Sequence, residues 1–354
     1  NLSDRMVQQF CVQGRIPGAQ KFGKSWAVPA NAEKPKDPRK LQGQAAEGAA
    51  SLVSGLLDHT SLMPLMNTSF QPGHCLEAVE AMPAGPQRDI ALAEYHYFSG
   101  QAGAAAQEAE AYLTHSDMGA RLSACLIYAY ASLSLGEISR ARFALGELRA
   151  SLSAAGEQLS QFPGLRAFAL YVQGHYLYLK EEYGPSAGMV EATLAMGAAS
   201  YPIPAIYLHL VAVMDYMSLK KPDQAQAHLL AAWKIAQPDD LIEGFGEHHG
   251  LLGAMLEAVI KPKWPEDFKR IIAITYRFSA GWRKVHNPET GHDVADDLTT
   301  TEFAIAMLAA RGWTNQEIAE HLHISVNTVK NHISEAMRKL DVENRKDLKK
   351  YMLR

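Results

Sequence analysis

Asn327, Lys330, Asn331, Ser334 and Arg338 recur at intervals of one, three and four residues, so on a helix they share one sector. Two amides, a hydroxyl and two cations are the donors and acceptors that reach base edges and phosphates in a DNA major groove. Such a sector can read DNA only if the neighbouring one is buried. At about 100° per residue, Val326, Val329, Ile333, Met337 and Leu340 form an apolar sector suited to burial. An ordinary amphipathic helix with a solvated polar face has the same composition. The elements around the helix separate the two readings.

Thr299 and Glu302 have capping-box spacing, with Leu298 and Phe303 placed to staple the start of a first helix. Gly312 stands where a left-handed C-cap ends it. Thr314-Asn315-Gln316-Glu317 repeats the box and opens a short second helix through His321. Ser325 caps a third, from Val326 to Leu340. Two short helices, a tight turn and a longer third helix make a helix-turn-helix pattern.

Leu298-Thr299, Glu302, Leu308-Ala309, Gly312, Asn315, Glu317-Ile318-Ala319, Leu322, Ile324-Ser325, Thr328-Val329-Lys330, His332, Lys339-Leu340 and Arg345 resemble the LuxR-type helix-turn-helix of bacterial transcription regulators. The resemblance implies base contacts from Lys330, Asn331 and Ser334, and phosphate contacts from Thr314, Asn315, Ser325, Thr328 and Lys339. Asn327, Arg338 and Arg345 complete the candidate DNA-binding set. The last helix, around Leu348, Tyr351 and Met352, is implied to pair two protomers on a two-fold site. Thr301, Ala304 and Ser334 depart from the family, standing where an arginine, an acidic and a basic residue are common.

Residues 1–40 carry a second likeness. Ser3 can cap a helix with Met6, Val7 and Phe10 inward and Arg5, Gln8 and Gln9 on the open side; Gly14 stops it. Ala19 to Val28, with Gly23 in the middle, suits a β-hairpin wing. This is similar to the excisionase/MerR-like winged helix-turn-helix, here without the helix that normally comes first. It implies base contacts from Arg5, Gln8 and Gln9, and phosphate contacts from Arg15, Lys21 and Lys24. Gly18 to Ser25 also fits the P-loop pattern letter for letter. A phosphate loop needs a strand before it and a helix after it. Arg15-Ile16-Pro17 precedes it and Pro29 follows soon after, so nucleotide binding is not expected.

Charge divides the chain. Residues 1–40 hold eight Lys/Arg against three Asp/Glu, and 299–354 hold nine against seven. The stretch between holds 17 against 28. Positive ends on an acidic body suit DNA contact at the ends. Cys11, Cys75 and Cys125 are scattered and odd in number, which speaks against a disulfide framework or zinc site. With no signal peptide and no 18-residue apolar run, a cytoplasmic protein without membrane spans is expected. A mixed polar stretch at 31–48 and an Asn/Pro/Gly/Asp stretch at 286–295 mark boundaries. They suggest a partial winged module at 1–40, a helical repeat domain at 41–290 and the helix-turn-helix domain at 295–354.

The middle reads as amphipathic helices from about residue 74 to 285. Phe98/Ala104, Leu135/Ala141 and Leu219/Ala225 pair an apolar helix end with an alanine six places on, and Leu179/Ala187 does so with two extra residues. The landmarks are 37, 44 and 40 residues apart, a loose period that suggests an α-solenoid. This resembles degenerate tetratricopeptide repeats, as in the sensor region of MalT-like regulators. The expected fold is therefore mainly α, a solenoid body with a four-helix reading domain, or else a plain helical bundle in the middle. Tyr95, Tyr97, Tyr128, Tyr130, Tyr171, Tyr176, Tyr178, Tyr207, Trp233 and His175 either line a groove for a peptide, protein or small-molecule effector or fill the core. Glu247-His248-His249 reads as a solvated loop or helix end, and His321-Leu322-His323 as part of the helix-turn-helix. No nucleophile–base–acid set or dinucleotide loop stands out, so neither catalysis nor a cofactor or metal is expected. Two functions remain: a homodimeric regulator that binds double-stranded DNA, or a repeat scaffold for a partner protein with weak, auxiliary DNA binding.

Overall fold

The computed structural model describes residues 20–22, 25–27, 76–77, 79–155, 163–197, 201–286 and 298–352. Residues Asn1–Leu52 and Val53–Arg354 form two compact units. In the first, β1 (Gln20–Phe22) and β2 (Ser25–Ala27) pair antiparallel with Lys21 opposite Trp26, giving the hairpin expected over 19–28. A strand, not a helix, thus follows the P-loop-like letters. Arg5, Gln8, Gln9, Arg15 and Lys24 lie outside the described residues, as does the 31–48 linker.

Among the described residues of the second unit, four helical hairpins follow one another. They are α1 (Pro86–Phe98) with α2 (Ala102–Glu110), α3 (Met118–Ser134) with α4 (Ile138–Ala155), α5 (Pro163–Leu179) with α6 (Tyr183–Ala195), and α7 (Pro202–Ser218) with α8 (Pro222–Ala236). Within each hairpin the two helices pack together, and α1, α3, α5 and α7 pack in succession. One joint recurs. Gly100, Gly136, Glu181 and Lys220 each take a left-handed conformation just after the first helix. The next residue's N–H bonds to a carbonyl five positions back: Gln101 to His96, Glu137 to Ser132, Glu182 to Leu177 and Lys221 to Tyr216.

Counting from that joint corrects the expected register. Five residues on stand Ala105, Ala141, Ser186 and Ala225, each fully buried, where a small side chain lets the two helices close. Ala104 is only half-buried, and Ser186, not Ala187, holds the equivalent place in the third hairpin. The repeat spacing is then 36, 45 and 39 residues.

After α8 the chain makes short turns of helix: α9 (Glu243–Glu247), a 3₁₀ turn (His249–Leu252) and a π turn (Leu256–Ile260). The long α10 (Pro265–His286) then packs back on α9 and α2. The reading domain follows as α11 (Thr300–Ala310), α12 (Asn315–Leu322), α13 (Val326–Lys339) and α14 (Leu348–Met352). Among the described residues, no helix is long and apolar enough to cross a membrane.

The aromatic residues settle as core, not groove. Tyr97, Tyr128, Tyr130, Tyr171, Tyr178, Tyr207, Trp233 and His175 are buried, and Tyr95 and Tyr176 pack against them half-buried. Nor is Glu247-His248-His249 solvated; all three side chains are buried. The Glu247 carboxylate accepts from the hydroxyls of Tyr97 at 2.5 Å, Tyr130 at 2.6 Å and Tyr207 at 3.1 Å. Burial of such a carboxylate is sustained only by hydrogen bonds of this kind. The His248 ring bonds through Nδ1 to the Gly244 carbonyl at 2.8 Å and through Nε2 to the Tyr171 hydroxyl at 3.0 Å. A backbone carbonyl can only accept, so Nδ1–H is the donor in the first of these bonds. Burial and the facing His248 hold the His175 imidazole well below its usual range, so it stays neutral.

Candidate nucleic-acid interface

Local sequence sets each helix of the reading domain. Glu302 N–H donates to Thr299 Oγ1 at 3.2 Å while Thr299 N–H donates to Glu302 Oε2 at 2.8 Å. The same reciprocal pair joins Thr314 and Glu317, at 3.2 and 2.6 Å. Thr328 N–H donates to Ser325 Oγ at 3.0 Å. Gly312 is left-handed at φ 78° and ends the first helix as its type and place predict. His323, also left-handed at φ 55°, makes the tight turn between α12 and α13.

Across α13 the two sectors separate as expected. Val329, Ile333 and Leu340 are buried, with Val326 and Met337 packed against the core. Asn327, Lys330, Asn331, Ser334 and Arg338 are all exposed on the other side. Arg338 donates to the Glu335 carboxylate one turn back, at 3.0 and 2.5 Å. Thr314 and Ser325 stand exposed at the starts of α12 and α13, with Thr328 half-buried beside Ser325.

Four other candidates have internal duties. Lys339 donates to Glu302 at 2.8 Å and ties the end of α13 to the start of α11. Burial works against ionisation of Glu302, but Lys339 and the Thr299 N–H outweigh it and hold this carboxyl below the usual range. The Arg345 guanidinium reaches Asn315 Oδ1 and the Trp313 carbonyl, so it braces the start of α12. Leu348 and Met352 are buried within the domain. Side chains that fill their own domain's core cannot also form a pairing face between protomers. This corrects the part expected of those two residues.

Sequence reasoning missed the residues that seat this domain on the body. Arg311, at the end of α11, donates to the Tyr178 hydroxyl at 2.6 Å and to the Leu251 carbonyl at 2.5 Å. Trp313 Nε1 donates to the Met217 carbonyl at 3.2 Å, and His321 Nε2 lies 3.2 Å from the Gly253 carbonyl. Lys220 donates to the Gly312 carbonyl at 2.9 Å and pairs with Glu317 at 3.2 Å. Two glycines make room. A Cβ at Gly250 would stand 2.3 Å from the Phe303 ring, and one at left-handed Gly253 would stand 2.6 Å from Arg311. Beneath Arg311, burial pushes the Asp215 carboxyl up to about 8, with the guanidinium acting in the opposite sense. The available signal was faint: Gly-x-x-Gly spacing at 250–253, and an arginine followed by Gly-Trp.

Residues 296–352 match the bacterial regulatory proteins of the luxR family. Over 48 residues the chain is 48% identical to the response regulator protein VraR of Staphylococcus aureus (strain Mu3 / ATCC 700698). VraR of Staphylococcus saprophyticus and of Staphylococcus epidermidis match to the same degree. The aligned part is 14% of this chain and 23% of each relative, so the chain spans about a quarter of the length of the curated relatives it matches. No solved structure matches the chain. Helices α11 to α14 therefore form a LuxR-type helix-turn-helix domain, carried behind an all-helical body that lies outside the matched region.

Proposed function

We propose that this chain is a bacterial transcription regulator that binds specific double-stranded DNA through α13. The observation that carries the reading is the open polar sector of α13. Asn327, Lys330, Asn331, Ser334 and Arg338 are all exposed while the body docks against α11 and α12. A helix in a major groove needs such a free face, and the hydroxyls of Thr314 at the start of α12 and of Ser325 and Thr328 at the start of α13 can supply phosphate contacts. We assign base contacts to Lys330, Asn331 and Ser334.

The tetratricopeptide-like body is the regulatory half in this reading. It holds the reading domain through Arg311, Trp313 and Lys220, so an effector or partner that repacks α5 to α9 reorients α13. The regulator acts as a homodimer on an inverted repeat, paired through surfaces other than Leu348 and Met352. The N-terminal hairpin is the wing of a partial second DNA-binding module, with Lys21 at the backbone.

The test is selection of bound duplexes from a random pool with the full chain. Enrichment of one inverted repeat is expected, by about 10³-fold or more over random DNA for a specific regulator. Recovery of no motif at moderate salt, with or without candidate effectors, would leave the repeat body as the functional part.

A further inference from the structure

The helix that precedes the reading helix is poorly equipped for its place. In helix-turn-helix docking that helix crosses the DNA backbone. Here it reads Asn315-Gln316-Glu317-Ile318-Ala319-Glu320-His321-Leu322, with two carboxylates and no lysine or arginine. Burial lowers the His321 imidazole below its usual range, so it adds no charge at neutral pH. A backbone-crossing segment of net negative charge opposes the phosphates it must approach.

The body places cations where α12 lacks them. Lys220, on the left-handed joint between α7 and α8, lies against the start of α12, bonded to the Gly312 carbonyl and to Glu317. It is still 42% exposed there, and Lys221 beside it is exposed as well. Lys263 lies at the other end of the helix. It borders a cleft of about 220 Å³ whose walls include Gln226 and Val259 of the body and His321 and His323 of the reading domain. His323 is two residues from Ser325, the cap of α13. Thus one ammonium flanks the turn before Thr314, and Lys263, whose ammonium lies 6.0 Å from the Trp264 ring centroid, borders the cleft beside the turn before Ser325.

We propose that the body is part of the DNA-binding surface, with Lys220 and Lys263 making the backbone-phosphate contacts that α12 cannot make itself. The proposal rests on the DNA-binding reading of α13 above. Lys220 has a second effect: paired with Glu317, it offsets the carboxylate nearest the DNA. The contacts carry no sequence information, because an ammonium meets phosphate alike at every base step. They add affinity and lengthen the footprint on the side of the duplex nearest the body.

The experiment is fluorescence anisotropy of labelled duplex DNA titrated with the full chain over a series of KCl concentrations. Each lost phosphate contact lowers the steepness of log K against log salt by about 0.9. Lys263→Ala is expected to reduce the slope by about 0.9, and Lys220→Ala with Lys263→Ala by about 1.8. Lys263→Arg is expected to keep it, as is Arg140→Ala in the second hairpin. Lys263 makes no bond that seats the reading domain, so its variant is free of the loosening that Lys220→Ala brings. Slopes equal to wild type in both alanine variants would overturn the proposal, and so would weaker binding at unchanged slope, which marks a lost seating contact. Wild-type chain that binds no duplex even at low salt would overturn the DNA-binding reading itself.

Discussion

The reading domain and the body begin their helices in different ways. Thr299, Thr314 and Ser325 each cap a helix of the reading domain with a side-chain oxygen. In the body, Asp117 does the same for α3, accepting from Ala120 N–H at 2.7 Å. Helices α1, α7 and α8 instead start on a proline, and α2 and α6 start with no side-chain cap. Polar groups are also placed oppositely: outward on α13, inward around Glu247. Helices that cap themselves are defined by a few neighbouring residues, whereas those of the body are held by the hairpins on either side. The first kind can present a fixed face to a ligand; the second can shift as a stack.

Breaking the interior of the body should have the largest effect. Glu247→Ala leaves the Tyr97, Tyr130 and Tyr207 hydroxyls around a void, and a loss of about 3 kcal/mol is expected from urea unfolding. Glu247→Gln should recover more than half of it. An equal loss from both would mean that hydrogen bonding is not what the carboxylate supplies. On the outward side, Lys330→Ala is expected to weaken specific DNA binding by about 2 kcal/mol at unchanged thermal stability, while Asn331→Ala alters site preference. Unchanged binding by both variants would remove α13 from the groove.

Asp215 gives a pH signature of the joint between the two regions. Its folded value, about 8, lies above the unfolded one, so its contribution is complete below the unfolded value and is lost as pH rises through 8. Stability should therefore fall between those values by about 1.4 kcal/mol per pH unit from this group alone. The neutral His175, whose value is lowered by burial, acts in the acid direction, so stability also falls as pH drops below the usual histidine range. Asp215→Asn should flatten the fall up to pH 8; chemical denaturation across pH checks it. The smallest effect is expected at a cap. Ser325→Ala should cost about 1 kcal/mol, read as earlier thermal unfolding of the reading domain.

The same contrast explains what could be read in advance. Each start of α11 to α13, and the stop of α11 at Gly312, came from adjacent letters, because capping is a contact over three or four residues. The hairpins of the body were visible as pairs, but their register slipped. It slipped in the first and third, where Phe98 and Leu179 lie two residues before the left-handed joint; Leu135 and Leu219 lie one residue before it, and there Ala141 and Ala225 were read in register. The polar interior was not legible. Tyr97 and Glu247 meet across 150 positions and Tyr130 and Glu247 across 117, so nothing nearby distinguishes those tyrosines from groove-lining ones. Lys339 and Arg345 were legible as cations, but their engagement with Glu302 and Asn315 depends on the folded geometry.

Arg311 also bears on how freely such a domain can be exchanged between proteins. It belongs to the reading domain by sequence, yet its receptor is the Tyr178 hydroxyl, the Leu251 carbonyl and the space left by Gly253 in the body. A foreign helix-turn-helix joined to this body with an apolar residue at that place would leave a hollow and two polar groups without their donor. Conversely, the native domain moved to another host would carry a guanidinium with nowhere to dock. Arginine and receptor therefore form one unit, and an exchange of this domain keeps its seat only where both halves travel together.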